Sequence, residues 1–133
     1  ILNFGTLLPQ AMAAAKQLNA TVVDMRWVKP MDEATVLKLA SQYDLLVTLE
    51  ESAVAGGAGS GVNEFLVAQG LPTTLINLGL PDEFVEHGAH QEQLNWTGLD
   101  SDSIFRRIRK AMHAHRVPML SPLDIRAQVE LPR

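Results

Sequence analysis

The segment of this sequence best suited to bind a ligand is a glycine-rich run at residues 55–61, directly before a predicted helix. Backbone N–H groups at the start of a helix, together with the helix dipole, attract anions. The glycines do not follow the dinucleotide-binding spacing G-x-G-x-x-G, and no Gly-Lys-Ser/Thr completes a Walker A loop. We therefore favour a packing role, in which Gly56, Gly57 and Gly59 reach positive φ and bring the loop close to a neighbouring chain or domain, while Ser60 caps the helix.

Two adjacent glutamates, Glu50 and Glu51, close the apolar run 45–49. Successive residues of a strand point to opposite faces, so these two are not the facing carboxylate pair of a glycosidase. A buried glutamate at a strand end can have a raised pKa and protonate a ring nitrogen, but solvated or salt-bridged glutamates are far commoner there. We expect solvated or salt-bridged carboxylates. We also predict that both glutamates, together with the glycine-rich run, contribute to an interface with a neighbouring chain or domain.

Histidine spacing gives two further candidates, and both are weak. His87 and His90 have acidic neighbours, but no third ligand is evident, so we predict no metal site. Ser60, Asp82 and His87 follow the chain order of an α/β-hydrolase triad. The serine does not occupy the centre of a G-x-S-x-G motif, so we interpret this order as accidental.

The elements that position these residues alternate between strand and helix. Apolar runs predict strands at residues 1–4, 20–26, 45–49 and 73–78. Helical spacing follows each strand, with the last helix at about 102–115, and the stretch 79–100 is predicted to be irregular. This alternation is typical of a parallel sheet covered on both faces, so we predict a three-layer α/β/α domain of the α/β class.

We expect the first crossover to place strand 20–26 on one side of strand 1–4, and the second crossover to place strand 45–49 on its other side. The predicted sheet order is therefore 20–26, 1–4, 45–49, 73–78. The switch point then lies between the strands 1–4 and 45–49, where α/β sheets bind ligands. Thr6 and Asp32 are the predicted N-caps of the first two helices.

Composition excludes several classes of protein. The 133 residues are enough for one ordinary domain, which we assign to residues 1–115, with an extended tail at 116–133. A net charge of −4 argues against nucleic-acid binding, and no apolar window is long enough for a membrane span. The absence of cysteine is compatible with a reducing cytoplasm, where we expect the protein. Because the chain opens inside an apolar run without Met, we expect a fragment of a longer protein.

Four segments carry a resemblance to a known family: Ile-Leu-Asn-Phe-Gly-Thr at 1–6, Val-Asp-Met-Arg-Trp-Val-Lys-Pro-Met-Asp at 23–32, Val-Thr-Leu-Glu-Glu at 47–51 with Gly-Gly-Ala-Gly-Ser-Gly-Val-Asn-Glu at 56–64, and Asn-Leu-Gly-Leu-Pro-Asp-Glu-Phe at 77–84 with His87-Gly88. The sequence resembles the C-terminal domain of the 1-deoxy-D-xylulose-5-phosphate synthases, within the transketolase-like thiamine diphosphate enzymes. The first patterns are shared with other transketolase-type domains, and the Gly-Leu-Pro-Asp stretch is the more specific.

The resemblance implies a transferase that joins pyruvate, after decarboxylation, to glyceraldehyde 3-phosphate and so supplies isoprenoid, thiamine and pyridoxal synthesis. It implies thiamine diphosphate and Mg²⁺ held by other domains, so no catalytic, cofactor or metal residue is assigned to this chain. It also implies packing on the preceding domains, a homodimer, and a mixed sheet whose antiparallel edge strand precedes Ile1.

Two alternatives remain open at this point. One is a free-standing α/β module that binds a small anion or a nucleotide at residues 55–61. The other is the C-terminal domain of another transketolase-type enzyme, such as a 2-oxoacid dehydrogenase. Binding of phosphate, nucleotides or thiamine diphosphate would distinguish the first alternative from the family assignment.

Overall fold

The computed structural model describes residues 1–115, in which four parallel strands form one sheet. The strands are β1 (Leu2–Phe4), β2 (Val23–Asp24), β3 (Leu45–Ala53) and β4 (Thr74–Leu80). The helices are α1 (Leu8–Leu18), α2 (Glu33–Gln42), α3 (Ala58–Ala68), α4 (His90–Thr97) and α5 (Ser101–Ala114). The strand order is β2-β1-β3-β4, which confirms the predicted order and the switch point between β1 and β3. The tail predicted at 116–133 lies outside the described residues.

The core has two halves, one on each face of the sheet, which confirms the three-layer architecture. One half joins the sheet to α1, α4 and α5 through Leu7, Ala11, Ala14, Leu94, Ile104 and Ile108. The other half joins it to α2 and α3 through Val36, Leu39, Ala58, Val62 and Leu66. Because successive strand residues alternate between the faces, Leu49 belongs to the first half and Leu46 to the second.

Three elements differ from the sequence prediction. Strand β2 covers only Val23–Asp24 of the predicted 20–26. Strand β3 continues beyond the predicted 45–49 to Ala53, with a register irregularity against β4 after Leu49. Helix α4 occupies part of the stretch that was predicted to be irregular, and it buries only Leu94. A single buried side chain leaves no apolar periodicity, so the usual helical signal is absent there. Within residues 1–115, no helix is long and apolar enough to cross a bilayer.

Of the two predicted N-cap residues, Asp32 is confirmed and Thr6 is wrong. The Asp32 carboxylate accepts a hydrogen bond from the Thr35 backbone N–H at 3.0 Å, which confirms Asp32 as the N-cap of α2. The prediction for Thr6 is wrong, because the N-cap of α1 is Leu7, without any side-chain hydrogen bond. The Thr6 hydroxyl donates instead to the Glu51 carboxylate, across the switch point.

Candidate functional site

The carboxyl ends of β1 and β3 enclose a crevice of about 330 Å³ at the switch point. It is lined by Gly5, Thr6, Arg26, Val28, Glu51 and Ser52, among others. The structure therefore brings together the β1–α1 turn and the two glutamates of β3, at the switch point that the sequence predicted. In open α/β sheets this is the position at which ligands bind, so the chemistry of its side chains decides what the domain can do.

Glu50 is buried and closes the start of α3. Its side chain is only 3% exposed, and its carboxylate accepts hydrogen bonds from the backbone N–H groups of Ala58 and Gly59, both at 2.8 Å. The Ser52 hydroxyl donates to the same carboxylate at 2.5 Å. The prediction of a solvated or salt-bridged Glu50 is wrong, because the partners that satisfy this charge are backbone groups of the following helix.

This carboxylate occupies the position where an anion would bind at the amino terminus of α3. A negative charge there already uses the helix dipole and the first two N–H groups of the helix. The next two N–H groups, of Ser60 and Gly61, donate to the Gly57 carbonyl oxygen. An external phosphate would therefore have to displace a covalently tethered carboxylate, so a free-standing anion-binding module is not favoured.

The glycines of the run are required by contacts inside the domain. A Cβ atom on Gly59 would lie 2.5 Å from Thr48 Oγ1 and 2.9 Å from Asn77 Cγ. A Cβ atom on Gly57 would overlap the Ala53 carbonyl oxygen and the Glu50 carboxylate. These two glycines allow α3 to approach β3 closely enough for the hydrogen bonds to Glu50.

Positive φ was predicted for three glycines and is found at one. Gly56 has φ +75°, whereas Gly57 is extended with φ −79° and Gly59 lies inside α3. The prediction is therefore wrong for Gly57 and Gly59. Their φ values are accessible to any residue, and glycine is required at these positions only because a Cβ atom would clash with its neighbours. A substitution at Gly57 would damage the domain itself and so could not report on an interface.

Ser60 was predicted to cap α3, and this prediction is wrong. The N-cap residue is Gly57, with no side-chain hydrogen bond, because Glu50 takes over that function from the neighbouring strand. The Ser60 hydroxyl donates to the Val54 carbonyl oxygen at 3.1 Å and accepts from the Gly56 N–H at 3.0 Å. Ser60 therefore fixes the turn between β3 and α3, and these partners give it no activating base.

Glu51 lies on the opposite face of β3 from Glu50. At the surface, its side chain connects β3 to the β1–α1 turn and to α4. It accepts a hydrogen bond from the Thr6 hydroxyl and another from His90 Nε2, the latter at 2.8 Å. The Thr6 hydrogen bond lowers the pKa of Glu51, partial burial opposes this shift, and the hydrogen bond and charge of His90 lower the pKa further. The pairing with His90 was not predicted, because His90 belongs to the helix that sequence reasoning missed.

The pKa of Glu51 gives a direct check of this cluster. Replacing Thr6 by valine is expected to raise the Glu51 pKa toward its ordinary value, and His90→Gln is expected to raise it less. Since the folded-state pKa is lowered, these contacts stabilise the domain above the ordinary glutamate pKa and are lost as the pH falls through the lowered value. A carbon-13 NMR titration of the carboxyl measures both variants. A larger shift in His90→Gln than in Thr6→Val would contradict this account.

Metal and nucleophile chemistry find no support in the described part of the chain. Among residues 1–115, no group of three His, Asp or Glu side chains is placed to hold a metal ion. Within this range, His87 and His90 are not joined by a third potential ligand. Because the Ser60 hydroxyl is engaged with the turn, the chain order of Ser60, Asp82 and His87 does not become a catalytic triad.

The sheet order, the helices on both faces and the internal carboxylate define a class: a doubly wound, three-layer α/β/α domain in which a carboxylate of β3 occupies the amino terminus of the helix at the switch point. Residues 1–104 match the family described as "Transketolase, C-terminal domain", and the chain belongs to this family. The family resemblance seen in the sequence is thereby confirmed.

Several proteins named 1-deoxy-D-xylulose-5-phosphate synthase are similar to this chain. The protein from Pectobacterium atrosepticum is 57% identical over 112 residues, or 84% of this chain. Those from Hahella chejuensis and Saccharophagus degradans are each 53% identical, over 84% and 86% of this chain. The aligned part is 18%, 17% and 18% of these proteins, so the chain spans less than a fifth of the length of the curated relatives that it matches.

The side chains at the switch point do not fit thiamine diphosphate. The diphosphate needs an anion site with a metal ion, but the α3 amino terminus is filled by Glu50 and residues 1–115 hold no metal-binding cluster. The aminopyrimidine needs a free carboxyl group, and the buried Glu50 already accepts three hydrogen bonds. We therefore assign no step of thiamine chemistry to these residues.

Proposed function

We propose that this chain is the C-terminal domain of a 1-deoxy-D-xylulose-5-phosphate synthase. The whole enzyme would decarboxylate pyruvate and join the remaining two-carbon unit to glyceraldehyde 3-phosphate. The observation that carries this proposal is the 57% identity over 112 residues to a protein of that name. The relatives named above are 1-deoxy-D-xylulose-5-phosphate synthases, so the alternative of a 2-oxoacid dehydrogenase domain is not favoured.

In this proposal the domain is a scaffold and contributes no catalytic group. Thiamine diphosphate and Mg²⁺ would be held by the rest of the polypeptide, which is consistent with a switch point closed by Glu50. The domain would pack on preceding domains and take part in a homodimer. The proposal includes a cytoplasmic location, in keeping with a sequence that has no cysteine.

The six residues predicted at an interface divide by exposure. Glu51 and Gly56 are exposed, Gly57 and Ser60 are half-buried, and Glu50 and Gly59 are buried within the domain. We propose that a partner surface contacts the first four. Glu50 and Gly59 would not contact the partner. They would hold the β3–α3 turn and the start of α3 in place, and these two segments carry the contacting residues.

The proposed activity is tested on the full-length polypeptide that contains this chain. With pyruvate, glyceraldehyde 3-phosphate, thiamine diphosphate and Mg²⁺, we expect deoxyxylulose phosphate and one CO₂ per turnover, detected by NMR of the product. Omitting thiamine diphosphate should abolish the product. Decarboxylation of pyruvate without deoxyxylulose phosphate, in the presence of the aldehyde, would contradict the assignment.

A further inference from the structure

Helix α5 carries a concentration of positive charge that the proposed function does not use. It contains four of the eleven Lys and Arg residues of the chain, at positions 106, 107, 109 and 110, and one acidic residue, Asp102. No Lys or Arg occurs at positions 39–105, and the net charge of the whole chain is −4. Positive charge gathered on one element of an acidic chain creates a local field that attracts negatively charged partners.

The spacing places most of this charge on one side of the helix. Arg106, Arg109, Lys110 and His113 stand at positions i, i+3, i+4 and i+7, which share one face of an α-helix. All four side chains are exposed. The opposite face of α5 packs into the core through its two buried isoleucines. These four exposed residues form what we call the α5 basic face.

The acidic side chains of the described residues do not neutralise the α5 basic face. Within residues 1–115, the ion pairs are those of Arg26 with Asp24 and of His90 with Glu51. Helix α1, which packs beside α5 in the same half of the core, contains Lys16 and no acidic residue. In this part of the chain, the positive charge of α5 is therefore not used in an ion pair.

Helix stability does not account for the α5 basic face. Cations stabilise a helix through its macrodipole in the last turn, and of the four residues only His113 lies there. Arg106 and Lys110 form an i, i+4 pair of like charge, which destabilises a helix. The arrangement therefore weakens α5 slightly in the free domain, and a bound negative charge would offset this effect.

Contacts within α5 hold two guanidinium groups in place without neutralising them. Arg106 Nη2 donates to Ser103 Oγ at 2.8 Å, and Arg109 lies over the Phe105 ring, 5.7 Å from its centroid. Both contacts are with neutral groups, so each guanidinium keeps its charge and further N–H donors for a carboxylate. A side chain that is already held in position loses less conformational freedom when it binds.

We propose that the α5 basic face binds an acidic segment of a partner protein. The apolar face of α5 is occupied in the core, so this helix cannot insert into a lipid surface as an amphipathic membrane helix does. A long polyanion such as duplex DNA would also meet the negative charge of the rest of the chain, whereas a short acidic segment covers the helix face alone. The proposal goes beyond the activity of the whole enzyme and does not depend on it.

The test measures the binding of a fluorescein-labelled oligoglutamate peptide to the full-length protein, by fluorescence anisotropy at low ionic strength. We expect Arg106→Gln/Lys110→Gln to weaken binding roughly fivefold, because each exposed ion pair contributes modestly. The matched control is Lys29→Gln/Lys38→Gln, which removes the same charge elsewhere, with Lys38 on α2 at the opposite face of the sheet. The control should change binding by less than about twofold. Equal losses in the two variants, or no binding by the unaltered protein, would overturn the proposal.

Further measurements distinguish the acidic segment from other occupants. Duplex DNA or phosphatidylserine vesicles that displace the peptide at a lower concentration of charge than unlabelled oligoglutamate would contradict the proposal. Light scattering should give the same oligomeric state for Arg106→Gln/Lys110→Gln and the unaltered protein, whereas loss of a dimer would make α5 a contact between copies and overturn the proposal. Thermal unfolding should show an unchanged or slightly higher Tm in this variant, since a like-charge pair is removed. None of these measurements depends on turnover, so their outcome is independent of the product assay.

Discussion

Replacing Gly59 by alanine is expected to destabilise the domain by about 2–3 kcal/mol, the upper part of the range for overpacking a tight core. The new Cβ atom would lie 2.5 Å from Thr48 Oγ1 and 2.9 Å from Asn77 Cγ. Thr48 is completely buried on a central strand and donates to Asn77 at 2.8 Å, so neither side chain can move away freely. Helix α3 would have to shift, and the hydrogen bonds to Glu50 would lengthen.

The same substitution at Gly61 is the matched control. Gly61 lies in the same helix, and a Cβ atom there would meet nothing within 4 Å. Alanine should therefore stabilise the domain by about 0.5–1 kcal/mol through its better helix propensity. Urea unfolding followed by far-UV circular dichroism measures both variants. Equal effects of the two substitutions would mean that close packing of α3 on β3 does not explain the glycine run.

Removing the Glu50 side chain should have the largest effect of any single substitution proposed for this domain. We expect Glu50→Ala to cost about 3 kcal/mol or more, because it leaves the buried N–H groups of Ala58 and Gly59 without an acceptor. Glu50→Gln keeps the shape and one acceptor oxygen, so its cost should be smaller, about 1–2 kcal/mol. Denaturant unfolding gives both values.

Glu51→Ala provides the comparison for Glu50. The neighbouring glutamate is paired at the surface with His90 and Thr6, so its loss should cost less than about 1 kcal/mol. Hydrogen exchange adds a local measurement, since the amides of Ala58 and Gly59 should lose protection in Glu50→Ala and keep it in Glu51→Ala. Similar costs for the two alanine variants would show that Glu50 does not hold the start of α3.

The sheet order could be predicted from the sequence because it depends on few rules. Alternating strands and helices, right-handed crossovers and a return past the first strand leave one arrangement, which is the observed β2-β1-β3-β4. The Asp32 cap was also predictable, since its hydrogen-bond partner lies three residues away in the chain. Local chemistry and connectivity are both visible in a sequence.

The interior of the site could not be predicted in the same way. A glutamate at a strand end is usually solvated, and nothing in the residues next to Glu50 shows that two N–H groups eight and nine positions later point at it. Thr6 likewise does not cap α1 as expected, because its hydroxyl donates to Glu51, which is 45 residues away in the chain. These contacts exist only after β1, β3 and α3 have come together, so they follow from tertiary structure.

We predict that this domain supports a thiamine diphosphate enzyme without binding the cofactor itself. Calorimetric titration of thiamine diphosphate with Mg²⁺ into the 133-residue chain tests it most directly, with the full-length protein titrated in parallel. We predict binding heat from the full-length protein and none from the chain alone, because Glu50 already fills the α3 amino terminus. Micromolar binding by the isolated chain would contradict the account and would make Glu50 or Glu51 a candidate cofactor acid.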